Sequence, residues 1–350
     1  MIGTGLIGGS LGAALRQRGW HVTGSDVDSE RLERAHSLGL LDAVGDDPDA
    51  EIVFVATPSA VAGSTAAAVL AQPGRRSDVV VTDVSSVKAA VMGDVTHPRF
   101  VGGHPMAGSE QAGLDGADPD LFVGASWVLT PTPDTDEEAF ALVATVVSDL
   151  GSDVVALTPA DHDRLVAVVS HVPHLVAATL MNAASHTAES HGALLRLAAG
   201  GFRDMTRVAA GQPSIWPDIC ADNAAAIVDA LDHVLADLAA IRDQVADLDR
   251  AGILSMLQAA SGARRALPAG VTRPDRLAEL RVPVPDRQGV LAEITTLAGD
   301  LGINIYDIEI AHSAEGPRGV LVLVVEAERA GELRGAITGR GHACTVGELS

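Results

Sequence analysis

Short β-branched runs alternate with stretches of helical spacing along the first 150 residues. Segments 22–26, 52–56, 79–83 and 126–129 read as strands, with helical patterns at 11–18 and 29–38 on either side of the first of them. The alternation predicts a doubly wound α/β domain over residues 1–150, a parallel sheet with helices on both faces. From 151 to 265 the spacing is helical. Segments 160–185 and 218–248 are long, Ala-rich and apolar, which predicts a buried all-α bundle whose surplus apolar surface suits a homodimer interface. Gly262, Pro268, Gly270 and Pro274 mark the approach to a linker at 266–276. Strand patterns then return at 280–284, 303–310 and 319–325, with helical spacing at 290–301 and 331–340. With a last short strand this predicts a small α+β module over 277–350.

Composition narrows the function classes. The chain has 350 residues, 47% of them hydrophobic, enough for two or three domains with real cores. A net charge of -22 with no basic stripe argues against nucleic acid, so an anionic substrate needs a local pocket of Arg and His. Cys220 and Cys344 are too few for a disulfide framework, which fits a reducing cytoplasm. The apolar segment 165–184 carries Ser170, His171, Pro173, His174 and Asn182, so a buried helix is expected there and no membrane partner. The apolar start has no positive n-region, and its glycines have another spacing.

That spacing is Gly3-x-Gly5-x-x-Gly8, with Leu6 and Ile7 opening a helix. Such glycines permit a tight turn and bring a pyrophosphate close to the helix N-terminus. Asp26 follows at the end of the next strand, where an acid binds a ribose diol and repels a 2′-phosphate, favouring NAD over NADP; Arg31 nearby pulls the other way. Thr57-Pro58 closes the strand at 52–56, where the backbone lines the nicotinamide crevice. Only Met1 and Ile2 precede the fingerprint. The first strand of the sheet is therefore expected to be nearly missing, with a natural start several residues upstream.

A second glycine-rich segment, Gly102-Gly103-His104-Pro105, sets one imidazole on what reads as a rigid, open loop. A titratable ring so placed suits proton abstraction near neutral pH. Lys88 is the only lysine in a chain that otherwise uses Arg. It is either compositional drift or a point charge near the cofactor or a structural carboxylate, which a guanidinium replaces poorly. His171 and His174 fall three apart on one helix face, with no third ligand or HExxH pattern beside them, so no metal is expected.

Together GTGLIGGSLG (3–12), TDVSSVK (82–88), GGHPMAGSEQAG (102–113), SHVPH (170–174) and GFRDMTRVA (201–209) resemble the prephenate/arogenate dehydrogenase family of tyrosine biosynthesis. The segment 286–291 resembles an ACT domain, an amino-acid-sensing unit. The resemblance implies oxidative decarboxylation. A hydride leaves C4 of a cyclohexadienol for NAD, the C4 hydroxyl loses its proton, and the ring carboxylate departs as CO2. It implies His104 as the base and Ser86 as its hydrogen-bonding partner. Arg207, extended by Arg203, would bind substrate carboxylate, and His174 the side-chain carboxyl or keto group. His171 reads as a satisfied core histidine. Glu110 would pair with Arg207 at the pocket mouth, and Trp216 would lie near the site or pack a helix. Prephenate is the expected substrate, with arogenate as the alternative and tyrosine as the effector of the ACT domain. A hydroxyacid or 6-phosphogluconate-like dehydrogenase would need a lysine in the helical half, and none is there. A non-catalytic NAD- and amino-acid-sensing regulator would have no use for a base beside the nicotinamide.

Overall fold

The computed structural model describes residues 1–109, 111, 113–267, 277–285, 289–312 and 318–348. They form two compact units, residues 1–239 and 240–350. The expected nucleotide-binding segment and most of the helical one thus belong to a single unit.

In the first unit β1 (Thr23–Gly24) pairs in parallel with β2 (Ala43–Val44). A five-stranded sheet runs in the order β3 (Ile52–Val55), β4 (Val80–Asp83), β5 (Phe100–Pro105), β6 (Ser126–Thr130), β7 (Asp153–Ala156). Ile2 links the two groups through single parallel bridges to Ser25 and Val55. Ahead of the Gly3–Gly8 turn, this one residue makes the bridges. The Met1 nitrogen donates to the Thr23 carbonyl at 2.8 Å. A cavity of about 530 Å³ opens beside it, lined by Met1, Trp20, Ile52 and Phe54 among others. It lies at the amino ends of the strands, away from the carboxyl edge where open α/β sheets bind ligands.

Helices cover both faces: α1 (Leu6–Gln17), α2 (Ser29–Ser37), α3 (Ser59–Leu70), α4 (Ala89–Asp94) and α5 (Glu137–Asp149). Successive residues of β3 serve two cores, as a period of two requires. Phe54 packs with Leu11, Trp127 and Val143, while Val53 and Val55 pack with Val69, Val91 and Phe100. Two expectations need correction. The sheet is mixed, because β5 and β6 are antiparallel. The Gly102–Pro105 segment is no open loop: it lies in β5, whose six residues are all buried.

The helical half comprises α6 (Pro159–Val166), α7 (Val172–Ser190), α8 (Gly200–Thr206), α9 (Trp216–Asp222), α10 (Ala224–Ala246) and α11 (Arg250–Arg265). A π-helical turn at residues 167–171 joins α6 to α7. By length and composition the helix Pro159–Ser190 could cross a membrane, and 28% of its most apolar window is buried. The expected buried bundle is also corrected. Within α10 only Ile227 and Ala230 are buried, α11 buries nothing, and Leu235, Leu238, Leu254 and Leu257 are exposed. Helix α11 also absorbs Gly262, and residues 268–276 of the expected linker lie outside the described residues.

The second unit takes in the end of α10 and α11, and also contains β8 (Leu277–Pro285), α12 (Val290–Asp300), β9 (Ile305–His312), β10 (Arg318–Glu326), α13 (Ala327–Gly339) and β11 (Thr345–Glu348). Its sheet has the order β11-β8-β10-β9 with every neighbour antiparallel. Leu280, Val282, Ile294, Leu321, Leu323 and Leu333 form its core.

Candidate active site

The turn from Ile2 into α1 is shaped for a dinucleotide. Gly3 has φ +89°, and a Cβ there would lie 2.4 Å from the Ala56 carbonyl oxygen. A Cβ on Gly8 would lie 2.0 Å from the Gly3 carbonyl oxygen, so both positions exclude any side chain. Gly5 opens α1 with free space above it and no side chain capping the first N–H groups. Unclaimed donors at a helix N-terminus, with the helix dipole behind them, fit a pyrophosphate. Asp26 Oδ2 accepts from Thr4 N at 2.7 Å and Thr4 Oγ1 at 2.8 Å, while Oδ1 accepts from Asp28 N at 2.9 Å. Burial pushes the Asp26 pKa up, but those hydrogen bonds and the Arg31 charge outweigh it and hold the carboxyl below its usual value. Arg31 Nη2 stands 3.4 Å from Asp26 Oδ1. Thr57 Oγ1, at the carboxyl end of β3, is buried without a hydrogen-bond partner among the described residues.

A connected polar network fills the interior behind the carboxyl edge. Lys88, at the start of α4, is fully buried. Its ammonium pairs with the Asp83 carboxylate and donates to the Gly103 carbonyl at 2.6 Å. Burial lowers the Lys88 pKa against the opposing pull of Asp83 and Asp163. The structural-carboxylate reading of Lys88 is therefore the one the geometry selects. Asp83 Oδ1 in turn accepts from Gly103 N at 3.0 Å, pinning β5 to β4. One residue on, His104 is only 7% exposed and its Nδ1 lies 2.8 Å from His162 Nε2. His162 Nδ1 lies 2.7 Å from Asp163 Oδ1, and Asp163 also accepts from Lys88 N and Ala89 N at 2.7 and 2.8 Å. Burial, then the charges of His162, Lys88 and His171, push the His104 pKa well below that of a free imidazole. The ring is neutral near pH 7, and its Nε2 has no hydrogen-bond partner among the described residues.

His162, Asp163 and Asp83 escaped the sequence reading. The adjacent His162-Asp163 pair opens a helix without any motif spacing, and Asp83 lay unexamined inside TDVSSVK. The expected partner of His104 was Ser86, yet no hydrogen bond joins Ser86 to His104 among the described residues. His171 is buried but only half satisfied: its Nδ1 lies 3.3 Å from Asn223 Nδ2, and its Nε2 has no partner among the described residues. Burial lowers its pKa to about 4. His174, in the first turn of α7, stacks on Trp216 with centroids 3.7 Å apart and planes at 15°. Gly211 lies close beneath His174, so the 207–210 turn is brought to the same face. Arg207 opens that turn and is exposed. Arg203 is exposed one turn earlier, and its Nε donates to the Ala198 carbonyl at 3.2 Å. Glu110 lies outside the described residues, and with it the proposed pairing to Arg207. A hydrogen bond from Ser59 Oγ to Asp222 Oδ2 at 2.9 Å ties α3 to α9 and holds the helical face over the sheet edge.

Residues 11–156 match the model of the prephenate dehydrogenase nucleotide-binding domain, and residues 158–259 that of the prephenate dehydrogenase dimerization domain. A prephenate dehydrogenase of Bacillus subtilis is 33% identical, covering 94% of this chain and 92% of its own. The chain belongs to the prephenate dehydrogenase family. A cyclohexadienyl dehydrogenase of Zymomonas mobilis is 34% identical over 76% of this chain and 94% of its own. Among crystal structures, prephenate dehydrogenase from Aquifex aeolicus in complex with hydroxyphenyl propionate and NAD+ matches with a TM-score of 0.69. It is 30% identical, covering 75% of this chain and 95% of that one. In this prephenate dehydrogenase-family chain His104 comes from the nucleotide-binding segment and His162 from the dimerization segment. His104 and His162 thus meet at the junction of two family domains. The exposed apolar face of α10 belongs to the dimerization segment as well.

Proposed function

We propose that this chain is an NAD-dependent prephenate dehydrogenase, converting prephenate to 4-hydroxyphenylpyruvate and CO2 as a homodimer in the cytoplasm. The observation that carries the reading is the neutral His104 ring, held at Nδ1 and open at Nε2, beside a glycine cradle fit for a dinucleotide. The Bacillus subtilis relative bears this activity in its name, and the Aquifex aeolicus structure holds NAD+ with a hydroxyphenyl acid. NAD, when bound, accepts the hydride from C4 of the substrate.

The residues of the chain supply the rest. His104 takes the proton of the C4 hydroxyl, a contribution on the order of 10²–10⁴ in rate. Arg207, reinforced by Arg203, binds carboxylate through its guanidinium fork. His174, braced on Trp216, meets the substrate side chain, and Ser86 meets the hydroxyl. Asp26 gives the preference for NAD. The four-stranded C-terminal module acts as an ACT domain that senses tyrosine, a reading supported by its β-α-β-β-α-β order.

A second reading, arogenate dehydrogenase, is favoured by one neighbour: a Synechocystis arogenate dehydrogenase structure is 34% identical with a TM-score of 0.64. Its substrate differs by an amine in place of the keto group. Following NADH or NADPH formation with prephenate and arogenate in parallel, with and without tyrosine, tests all of this. Faster turnover of prephenate with NAD, reduced by tyrosine, is expected. Inactivity with both substrates would overturn the function.

A further inference from the structure

We propose that His162 and Asp163 form a closed proton store behind His104, fixing its tautomer before the reaction and holding a proton during it. The inference rests on the dehydrogenase reading above and deepens it.

Three N–H groups converge on Asp163: Lys88 N at 2.7 Å, Ala89 N at 2.8 Å and His162 Nδ1 at 2.7 Å. Its pKa is pushed up by burial and pulled down further by these hydrogen bonds, so the carboxyl stays ionised. An ionised carboxylate only accepts hydrogen bonds, so His162 Nδ1 carries a hydrogen. In a neutral His162 ring, Nε2 must then be an acceptor. The 2.8 Å contact is filled by His104 Nδ1–H donating to it. This leaves the lone pair of His104 on Nε2, the atom without a protein partner. The tautomer that can act as a base is thereby selected through two rings from a carboxylate.

The same contact has a second state. When His104 Nε2 takes the hydroxyl proton, its Nδ1 proton can cross to His162 Nε2. His162 becomes an imidazolium beside the Asp163 carboxylate, and His104 is neutral again with its hydrogen on Nε2. Positive charge then sits against Asp163 and leaves the His104 ring, where the charge of Lys88 opposes protonation. His171 faces His104 as well and adds to that opposition, while Asp83 is engaged by Lys88.

The proton has no need to leave. C4 loses its hydride and the ring loses CO2, yet the product is a 4-hydroxyphenyl compound, so the hydroxyl proton taken at the start is returned at the end. A store sealed from solvent suits that balance, and His162 is 0% exposed. A relay built to discharge protons would have to reach water.

Histidine-selective 15N NMR of the full chain, with the His104 signals assigned from His104→Asn, reads the tautomer without substrate or cofactor. Nδ1–H at His104 is expected; Nε2–H in the resting protein would overturn the proposal. His162→Gln can present an amide oxygen to His104 but cannot hold a proton, whereas His162→Leu can do neither. His162→Gln should keep the His104 tautomer, lower kcat about 10–100-fold, and move the acid limb of kcat/KM to higher pH, because one opposing ring is gone. His162→Leu should lose the tautomer bias and about 10²–10³-fold in kcat. A folded His162→Leu protein with wild-type kcat and pH profile would overturn the proposal. Absence of dehydrogenase activity in the wild type would instead defeat the functional reading, and the NMR result would still decide the tautomer.

Discussion

The Lys88 ammonium donates to the Gly103 carbonyl at 2.6 Å, so the cation that neutralises Asp83 also fixes the residue before His104. One buried charge therefore serves both the sheet and the segment that carries His104. Lys88→Met would leave the Asp83 carboxylate buried and unpaired, which costs about 3–5 kcal/mol. For a unit of this size each kcal/mol lowers Tm by about 2–4 °C. A fall of roughly 10 °C in a thermal melt is expected, with partial recovery in the Lys88→Met/Asp83→Asn pair. An unchanged Tm would show that the ion pair is not needed for folding.

His104→Asn removes the ring proposed to accept the hydroxyl proton while leaving the Gly3–Gly8 cradle untouched. Turnover should fall about 10²–10⁴-fold. Cofactor affinity, followed by quenching of tryptophan fluorescence, should stay within about twofold. An equal loss of both would make His104 a packing residue.

Asp26 is the proposed ribose acid, and its two oxygens are already engaged by Thr4, Asp28 and Arg31. Asp26→Ser removes the charge that repels a 2′-phosphate and releases Arg31 to meet one. KM for NAD should rise about tenfold or more, with kcat nearly kept, and the ratio of kcat/KM values should swing toward NADP. A cofactor preference that does not move would place discrimination elsewhere.

The reach of the sequence differed between these sites. The Gly3–Gly8 turn and Asp26 were legible because phosphate and ribose binding impose fixed spacings on neighbouring residues. The four strands read from β-branched runs were found for a similar reason. Strand β5 was missed because Gly102, Gly103 and Pro105 look like a turn, whereas in the fold the glycines let β5 pass close to Thr82, Asp83 and Thr130. His162 was missed because its meaning lies in a contact 58 positions away. Helix α10 is read as buried because apolar content alone does not say whether a face meets its own chain or another copy.

Acid should weaken this fold before it protonates the carboxylates. His171 and His104 both have pKa values below that of a free imidazole, His171 at about 4. Between pH 6.5 and those lowered values the unfolded chain binds more protons than the native one. Their contribution is whole above pH 6.5 and is lost as the pH falls toward about 4. Asp26 and Asp163, held below the usual carboxylate value of 3.8, lose their contribution only at lower pH. The urea midpoint should therefore decline from about pH 6.5 to about pH 4.5, and His171→Gln should flatten part of that slope. A midpoint constant over this window would contradict the burial of both rings.

Gly103 tests how tightly sheet and site are joined. A Cβ there would sit 2.6 Å from the Asp83 carbonyl oxygen, 2.9 Å from Thr82 Oγ1 and 3.1 Å from Trp127 Nε1. Two of those atoms belong to β4 and the third to β6, all buried, so none can swing aside as a surface side chain would. Gly103→Ala must push β5 away from its neighbours, at a cost of about 1–3 kcal/mol in stability. The same displacement draws the Gly103 carbonyl off Lys88 and His104 off His162. Turnover should then fall by tenfold or more at temperatures where the protein is fully folded, with cofactor affinity kept. Gly93→Ala is the control: it adds a methyl to an exposed turn of α4 with nothing within 4 Å, and should leave both Tm and kcat unharmed. If Gly103→Ala lowers Tm but not kcat, β5 can move without disturbing the base, and the coupling of sheet packing to His104 would have to be given up.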